Sequence, residues 1–134
     1  MNNTELCYLP ATEILRLFRR RELSPVELLE AQIKRAEMVE PVINAFTDTF
    51  YEQALKKAKA AETRYMVPKG RVRKLEGLTV AVKDEMEVKG QRNTQGSLTL
   101  KDYIATATDP AVERLLRAGA IVHARTTTPE FCCA

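Results

Sequence analysis

Leu78-Thr79-Val80-Ala81-Val82, ending on Lys83, and Ala120-Ile121-Val122-His123 are the two stretches on which the fold turns. Each is short, apolar and rich in β-branched residues, the pattern of a buried strand. Between them, Asp109-Pro110 opens a helix whose apolar stripe is Val112, Leu115 and Leu116, and Gly119 closes it. A strand, a crossover containing a helix and a second strand make a βαβ unit, so the two strands are expected to be parallel. The long loop after the first strand is punctuated by Gly90 and Gly96.

Upstream of this unit the pattern is helical. Ile14, Leu17 and Phe18 recur at helical spacing ahead of Arg19-Arg20-Arg21, whose cations suit a helix C-terminus. Ser24-Pro25-Val26-Glu27 is a helix start: Ser24 caps, Pro25 takes the first helical position and Glu27 completes a capping box. The stripe Val26, Leu29, Ile33, Ala36 faces a core, Glu30 precedes Lys34 in the favourable ion-pair order, and Pro41 is expected to end the helix. A third helix is expected from about Asp48 through Phe50, Ala54, Ala58 and Ala61. Pro68, Gly70 and basic residues between Lys69 and Lys74 then mark a surface loop. The chain thus divides into a helical layer (1–66), a loop (67–77) and the start of an α/β core (78–134). The fold class is α/β, N-terminal helices leading into the beginning of a mixed sheet.

Composition narrows the function. The 134 residues are 45% hydrophobic and 29% charged, as in a soluble globular protein. With 21 basic and 18 acidic residues, the net charge of +3 implies no nucleic-acid partner, and the arginine triplet has no aromatic stacking platform beside it. No apolar run approaches the roughly 20 residues that span a bilayer, and Met1–Pro10 lacks a signal peptide's features, so a cytoplasmic location is the default and no membrane role is expected. Asn2-Asn3-Thr4 then matches a glycosylation sequon by chance. Cys7, Cys132 and Cys133 make no disulfide framework and suggest reduced thiols. His123 is the one histidine, which excludes a histidine-based triad or zinc site within the chain. No metal site and no cofactor motif is found. The acidic run Asp84, Glu85, Glu87 reads as a solvated loop.

Lys83 draws attention because it ends an apolar strand, and sites in α/β sheets gather at the carboxyl ends of strands. On position alone, a lysine there is more often a solvated strand end. A lysine base must be neutral, which requires a pocket or neighbours that lower a pKa ordinarily near 10.4.

The surrounding text goes further. Leu75-Glu76-Gly77-Leu78-Thr79-Val80-Ala81-Val82-Lys83-Asp84, then Gly90, then Thr94-Gln95-Gly96-Ser97, resembles the opening block of the amidase-signature family. So do the segment from Asp109 to Val122 and the closing Arg125-Thr126-Thr127-Thr128-Pro129-Glu130-Phe131. Glu22 to Leu28 and Asn44-Ala45-Phe46 also sit where the family commonly has such residues, so the resemblance covers nearly the whole chain. Departures are mild: Thr79 stands for a common proline, Asn93 for a threonine, Ala124 for a glycine, Arg125 for a lysine and Thr127 for an asparagine.

The resemblance implies an amide hydrolase, turning a carboxamide and water into a carboxylate and ammonia by a serine, cis-serine, lysine mechanism. Lys83 is then the catalytic lysine. The glycine- and serine-rich segment with the nucleophile is expected downstream of Pro129-Glu130-Phe131, which makes this an N-terminal portion of the domain, inactive alone. Ser24 is a helix cap and Ser97 lies in a Gly-Ser loop that is not the family's nucleophile segment. Phe131 and Cys132 are expected to line the acyl pocket, with Cys132 and Cys133 as small residues packed beneath the site. In such an unfinished pocket Lys83 is expected to titrate nearer its ordinary value than in a complete enzyme. The partner implied is a small-molecule amide. Two alternatives stand beside this: a non-catalytic binding or assembly module, whose unpaired strand edges favour homo-oligomers, and part of the amidotransferase subunit that releases ammonia for amidation of aminoacyl-tRNA.

Overall fold

The computed structural model describes residues 3–68 and 70–133; Asn2 of the sequon, Lys69 of the basic loop and the final Ala134 lie outside the described residues. The expected parallel pair forms. β2 (Thr79–Lys83) runs beside β3 (Ile121–Thr126), Thr79 opposite Ile121 and Lys83 opposite Thr126, with an irregularity between Val80 and Ala81.

A third strand corrects the sequence reading. β1 (Phe46–Thr49) pairs antiparallel with the other edge of β3, giving the order β1-β3-β2. Asp48, expected in a helix, lies in this strand, and helix α4 (Tyr51–Met66) begins only after it. Four residues are too few to show a period of two. What holds them extended is pairing with β3, continued by the Phe50 N–H donating to the His123 carbonyl at 2.8 Å.

Because β3 is central, both its faces are covered, and alternate residues go to different layers. Ile121 packs with Leu29 of α3 (Pro25–Ile43) and with Ala54 and Ala58 of α4. Alanines at 54 and 58 let α4 approach the sheet closely. Val122 faces the opposite layer, with Val82, Val88 and Val112 of α5 (Pro110–Arg117). Burying one such side chain stabilises by about 1.5–3 kcal/mol. β2 is an edge strand and only half buried, which corrects the expectation of a buried one: Val80 and Val82 meet the α5 layer, whereas Ala81 is exposed. Leu115, counted in the stripe of α5, is exposed as well; Val112 carries that helix's contact.

The N-terminal layer comprises α1 (Asn3–Cys7), α2 (Ala11–Arg20) and the first half of α3. Ile14, Leu17 and Phe18 are buried with Leu28, Ala31 and Tyr65. Arg21 closes α2 in the left-handed region, its N–H on the Leu17 and Phe18 carbonyls, and its Nε donates to the Tyr65 carbonyl at 3.1 Å. The capping box of α3 is complete. Ser24 Oγ accepts from the N–H groups of Val26 and Glu27, both at 3.1 Å, and Glu27 accepts from the Ser24 N–H at 2.8 Å. Pro41 does not end α3. The helix continues to Ile43 and closes at Asn44, whose N–H donates to Glu40. In the last turn a proline removes a single hydrogen bond, which the helix survives.

The loop before β2 is less superficial than its composition implies. Glu76 is 1% exposed and accepts from Arg64 Nη1 at 2.9 Å and from Arg73 Nε at 2.6 Å. Gly77, at φ +79°, is pressed so closely on Pro25 that a Cβ there would lie 2.6 Å from its Cγ. The N–H groups of Leu75 and Gly77 donate to the carbonyls of Ala118 and Gly119. These ties fix the start of β2 against the start of β3, and so set where Lys83 emerges.

Candidate active site

Lys83 is the last residue of β2, and the chain turns directly after it. What shapes that turn is Asp84, which is buried and not part of a solvated loop. Its N–H continues the ladder to the Thr126 carbonyl at 2.9 Å. Its carboxylate accepts from the Thr94 N–H at 3.1 Å, from the Thr94 hydroxyl, and from Arg125 Nη2 at 3.3 Å. Asn93 Nδ2 donates to the Asp84 carbonyl at 2.7 Å. The segment 84–97 is therefore wrapped around one buried carboxylate.

Arg125 is the counter-charge, 0% exposed, and it donates also to the Met86 carbonyl at 2.7 Å. Among the described residues its Nε and Nη1 and the Asn93 Oδ1 find no hydrogen-bond partner. Sequence reasoning treated Arg125 only as a departure from a common lysine. The available signal was its position: a charge that continues the apolar run Ala120-Ile121-Val122 within the same strand has to find a partner if it is buried.

The Pro129-Glu130-Phe131 segment docks onto the same loop. Glu130 accepts from Ser97 Oγ at 2.7 Å, and the Phe131 N–H donates to the Gln95 carbonyl at 2.7 Å. Gly96 is needed where the two segments meet, since a Cβ there would come within 2.6 Å of the Thr128 carbonyl oxygen. Ser97 is buried and engaged in this contact, and Ser24 remains a helix cap.

The docked segment brings Cys132 to Lys83. Nζ lies 3.0 Å from Cys132 Sγ and 3.2 Å from Glu85 Oε2, and the thiol donates to that same carboxylate oxygen at 2.7 Å. Amine, thiol and carboxylate thus form one cluster at the end of β2. The lysine side chain is 41% exposed. The hydrogen bond to Cys132, and then that to Glu85, hold the ammonium above the ordinary lysine pKa, the opposite direction from a desolvated base. Cys132 and Cys133 are exposed, not packed beneath the site, because the segment carrying them lies across its surface. Phe131 and Cys132 occupy the left-handed region at φ +51° and +57°, unusual for residues with side chains. Phe131 is 49% exposed beside the cluster. Of the residues singled out as site candidates, Lys83 and Cys132 touch, and Phe131 adjoins Cys132 in the chain without a contact to Lys83 among the hydrogen bonds described.

His123 belongs elsewhere. Its ring stacks on Tyr51 at 6.4 Å and meets Phe46 edge-on at 6.0 Å, and burial pushes its pKa down. Among the described residues no group of three or more His, Cys, Asp or Glu side chains is placed to hold a metal ion, and no helix is long and apolar enough to cross a membrane.

The sequence profile of the amidase family matches residues 27–134. The chain belongs to the amidase family. It is 34% identical over 128 residues to a glutamyl-tRNA(Gln) amidotransferase subunit of Dehalococcoides mccartyi, covering 96% of this chain and 26% of that protein. It is 36% identical over 121 residues to indoleacetamide hydrolase of Bradyrhizobium diazoefficiens, covering 90% of this chain and 23% of that one. Among solved structures, a bacterial aryl acylamidase of the amidase-signature enzymes superposes with a TM-score of 0.85 at 26% identity, over 95% of this chain and 26% of the other. Fatty acid amide hydrolase superposes with a TM-score of 0.86 at 24% identity, over 95% and 22%, which speaks for the fold alone. The mixed α/β architecture is thus the amidase-signature fold, and the chain spans about a quarter of the length of the curated relatives it matches.

Proposed function

We propose that this chain is the lysine-bearing, N-terminal portion of an amide hydrolase, with Lys83 as its general base. The observation that carries this reading is the placement of Lys83 at the carboxyl end of β2, on a turn held by the buried Asp84–Arg125 pair, in a chain of the amidase family. A carboxamide and water would give a carboxylate and ammonia. A serine outside these 134 residues attacks the carbonyl carbon, its proton passes through a second serine on a cis peptide bond to Lys83 and on to the departing ammonia, and water then hydrolyses the acyl-serine to the carboxylate and free serine. Backbone N–H groups of the same outside segment hold the oxyanion. Before it can take a proton, Lys83 has to be neutral, so its ties to Cys132 and Glu85 must loosen and the remaining fold must desolvate it. Phe131 and Cys132, both exposed, are offered to the acyl side of the substrate.

A second reading follows from relatives named as amidotransferase subunits: the ammonia is handed to a partner for amidation of aminoacyl-tRNA. Ammonia release from simple carboxamides and from glutamine, by protein that also carries the further length of its relatives, separates the two. Turnover of carboxamides without a partner supports the stand-alone hydrolase. Turnover of glutamine alone, rising with a partner complex, supports the second reading, and turnover of neither sinks both. The 134 residues by themselves are expected to be inactive; hydrolysis by them that depends on Lys83 would overturn the assignment of the nucleophile to outside sequence.

A further inference from the structure

The amine, thiol and carboxylate at the end of β2 invite a question that hydrolysis does not answer. Cys132 is exposed, so a small oxidant reaches it. Its sulfur accepts from an ammonium at 3.0 Å and its S–H points to a carboxylate at 2.7 Å, so a cation and a proton acceptor flank the sulfur. An exposed cysteine sulfur is open to peroxide, which takes it first to the sulfenic acid.

We propose that Cys132 is an oxidative modification site whose product is a reversible covalent bond from its sulfur to Lys83 Nζ. The oxidant is of the hydrogen peroxide class. In the first step peroxide delivers one oxygen to the Cys132 sulfur, the O–O bond breaks, and sulfenic acid and water result, sulfur being oxidised by two electrons. In the second, Lys83 gives up one proton to solvent, and the neutral amine, which the contact at 3.0 Å holds beside the sulfur, attacks it. The S–O bond breaks as the S–N bond forms, and hydroxide leaves with the second amine proton as water. Thiol, amine and one peroxide give one sulfenamide and two waters. Two equivalents of a small thiol reverse it, becoming a disulfide while Cys132 and Lys83 are restored.

The competing acceptor of the sulfenic acid is Cys133, and geometry disfavours it. Its Sγ is turned toward the Phe131 carbonyl at 3.5 Å. Neighbouring residues across a trans peptide also have Cα atoms only about 3.8 Å apart, short of the roughly 4.4–6.8 Å that unstrained disulfides span. The Lys83 amine is already in contact with Cys132. The inference stands on this contact whether or not Lys83 serves as a catalytic base; if it does, the bond would remove that base for as long as the oxidant persists.

The experiment is intact-mass and peptide-mapping mass spectrometry of the chain after peroxide at one equivalent, with and without later reduction by dithiothreitol. A loss of about 2 Da, the two hydrogens removed, is expected, with the peptide holding Lys83 joined to the peptide holding Cys132. The Cys133→Ser variant should still form it, the Lys83→Gln and Cys132→Ala variants should not, and dithiothreitol should restore the original mass. A Cys132–Cys133 disulfide, a dimedone-trapped sulfenic acid that never loses water to Lys83, or a cross-link persisting in Lys83→Gln would each overturn the proposal. Because the readout is mass, its failure is distinguishable from a failure of the amidase reading, which is read as ammonia.

Discussion

Replacing Arg125 with methionine tests how the turn after Lys83 is held. The side chains of Arg125 and Asp84 are 0% and 2% exposed, 3.3 Å apart, with almost no solvent to screen them. Removing one partner of such a pair typically costs about 3–5 kcal/mol, because the other charge is left buried and uncompensated. Two features moderate this. Asp84 keeps its hydrogen bonds from the Thr94 N–H and hydroxyl, and Arg125 itself has Nε and Nη1 buried without partners among the described residues, a cost that methionine relieves. The low end of the range, about 3 kcal/mol, is therefore expected. Against a total of roughly 5–15 kcal/mol for a natural domain, that is a large share. Equilibrium urea unfolding of Arg125→Met, Asp84→Asn and the double variant measures it. Asp84→Asn in the Arg125→Met background should recover at least about 1 kcal/mol, the coupling expected of a contacting pair. A loss below about 0.5 kcal/mol for Arg125→Met, the range of ordinary surface changes, would refute the claim that this pair organises the turn.

Three further outcomes are expected. His123 is partly buried between Phe46 and Tyr51 and its pKa is lowered by desolvation, so its contribution to stability is present above the unfolded value, about 6.5, and is lost as pH falls toward the folded value; His123→Phe should flatten that part of a stability–pH curve followed by urea unfolding. Gly77→Ala places a Cβ 2.6 Å from Pro25 Cγ at a φ of +79°, and should lower stability by about 1–3 kcal/mol, seen as a reduced melting temperature. Ser24→Ala removes the hydroxyl that caps the first turn of α3, and should cost about 1 kcal/mol by the same melting experiment, while Ser24→Asp should restore most of it.

The elements that sequence reasoning placed well are those with strong local chemistry. Ser24 and Glu27 close a capping box between themselves, Asp109 caps α5 through the Ala111 N–H, and the β-branched run before Lys83 pairs as expected. The elements it missed are defined by partners distant in the chain. β1 is four residues whose extended form comes from β3, and Phe46-Thr47-Asp48-Thr49 alone cannot be told from a helix start. Asp84 sits in a run of acids that suggests water, and only the return of Arg125 explains its burial. Glu76 is hidden in the same way by Arg64 and Arg73. At the candidate site, the position of Lys83 followed from the strand, whereas its neighbour Cys132 is delivered by Glu130 bonding to Ser97 and by a backbone in the left-handed region. Neither contact has any local sequence signature.

The central claim is that Lys83 supplies the base for amide hydrolysis, and one comparison tests it most directly. Ammonia release from a carboxamide should be measured for protein with the full family length, wild type against Lys83→Met, with melting curves to establish that both are folded. Loss of a general base predicts a fall in kcat of about 100- to 10,000-fold with a folded variant. A folded Lys83→Met protein that hydrolyses the amide at an undiminished rate would contradict the account.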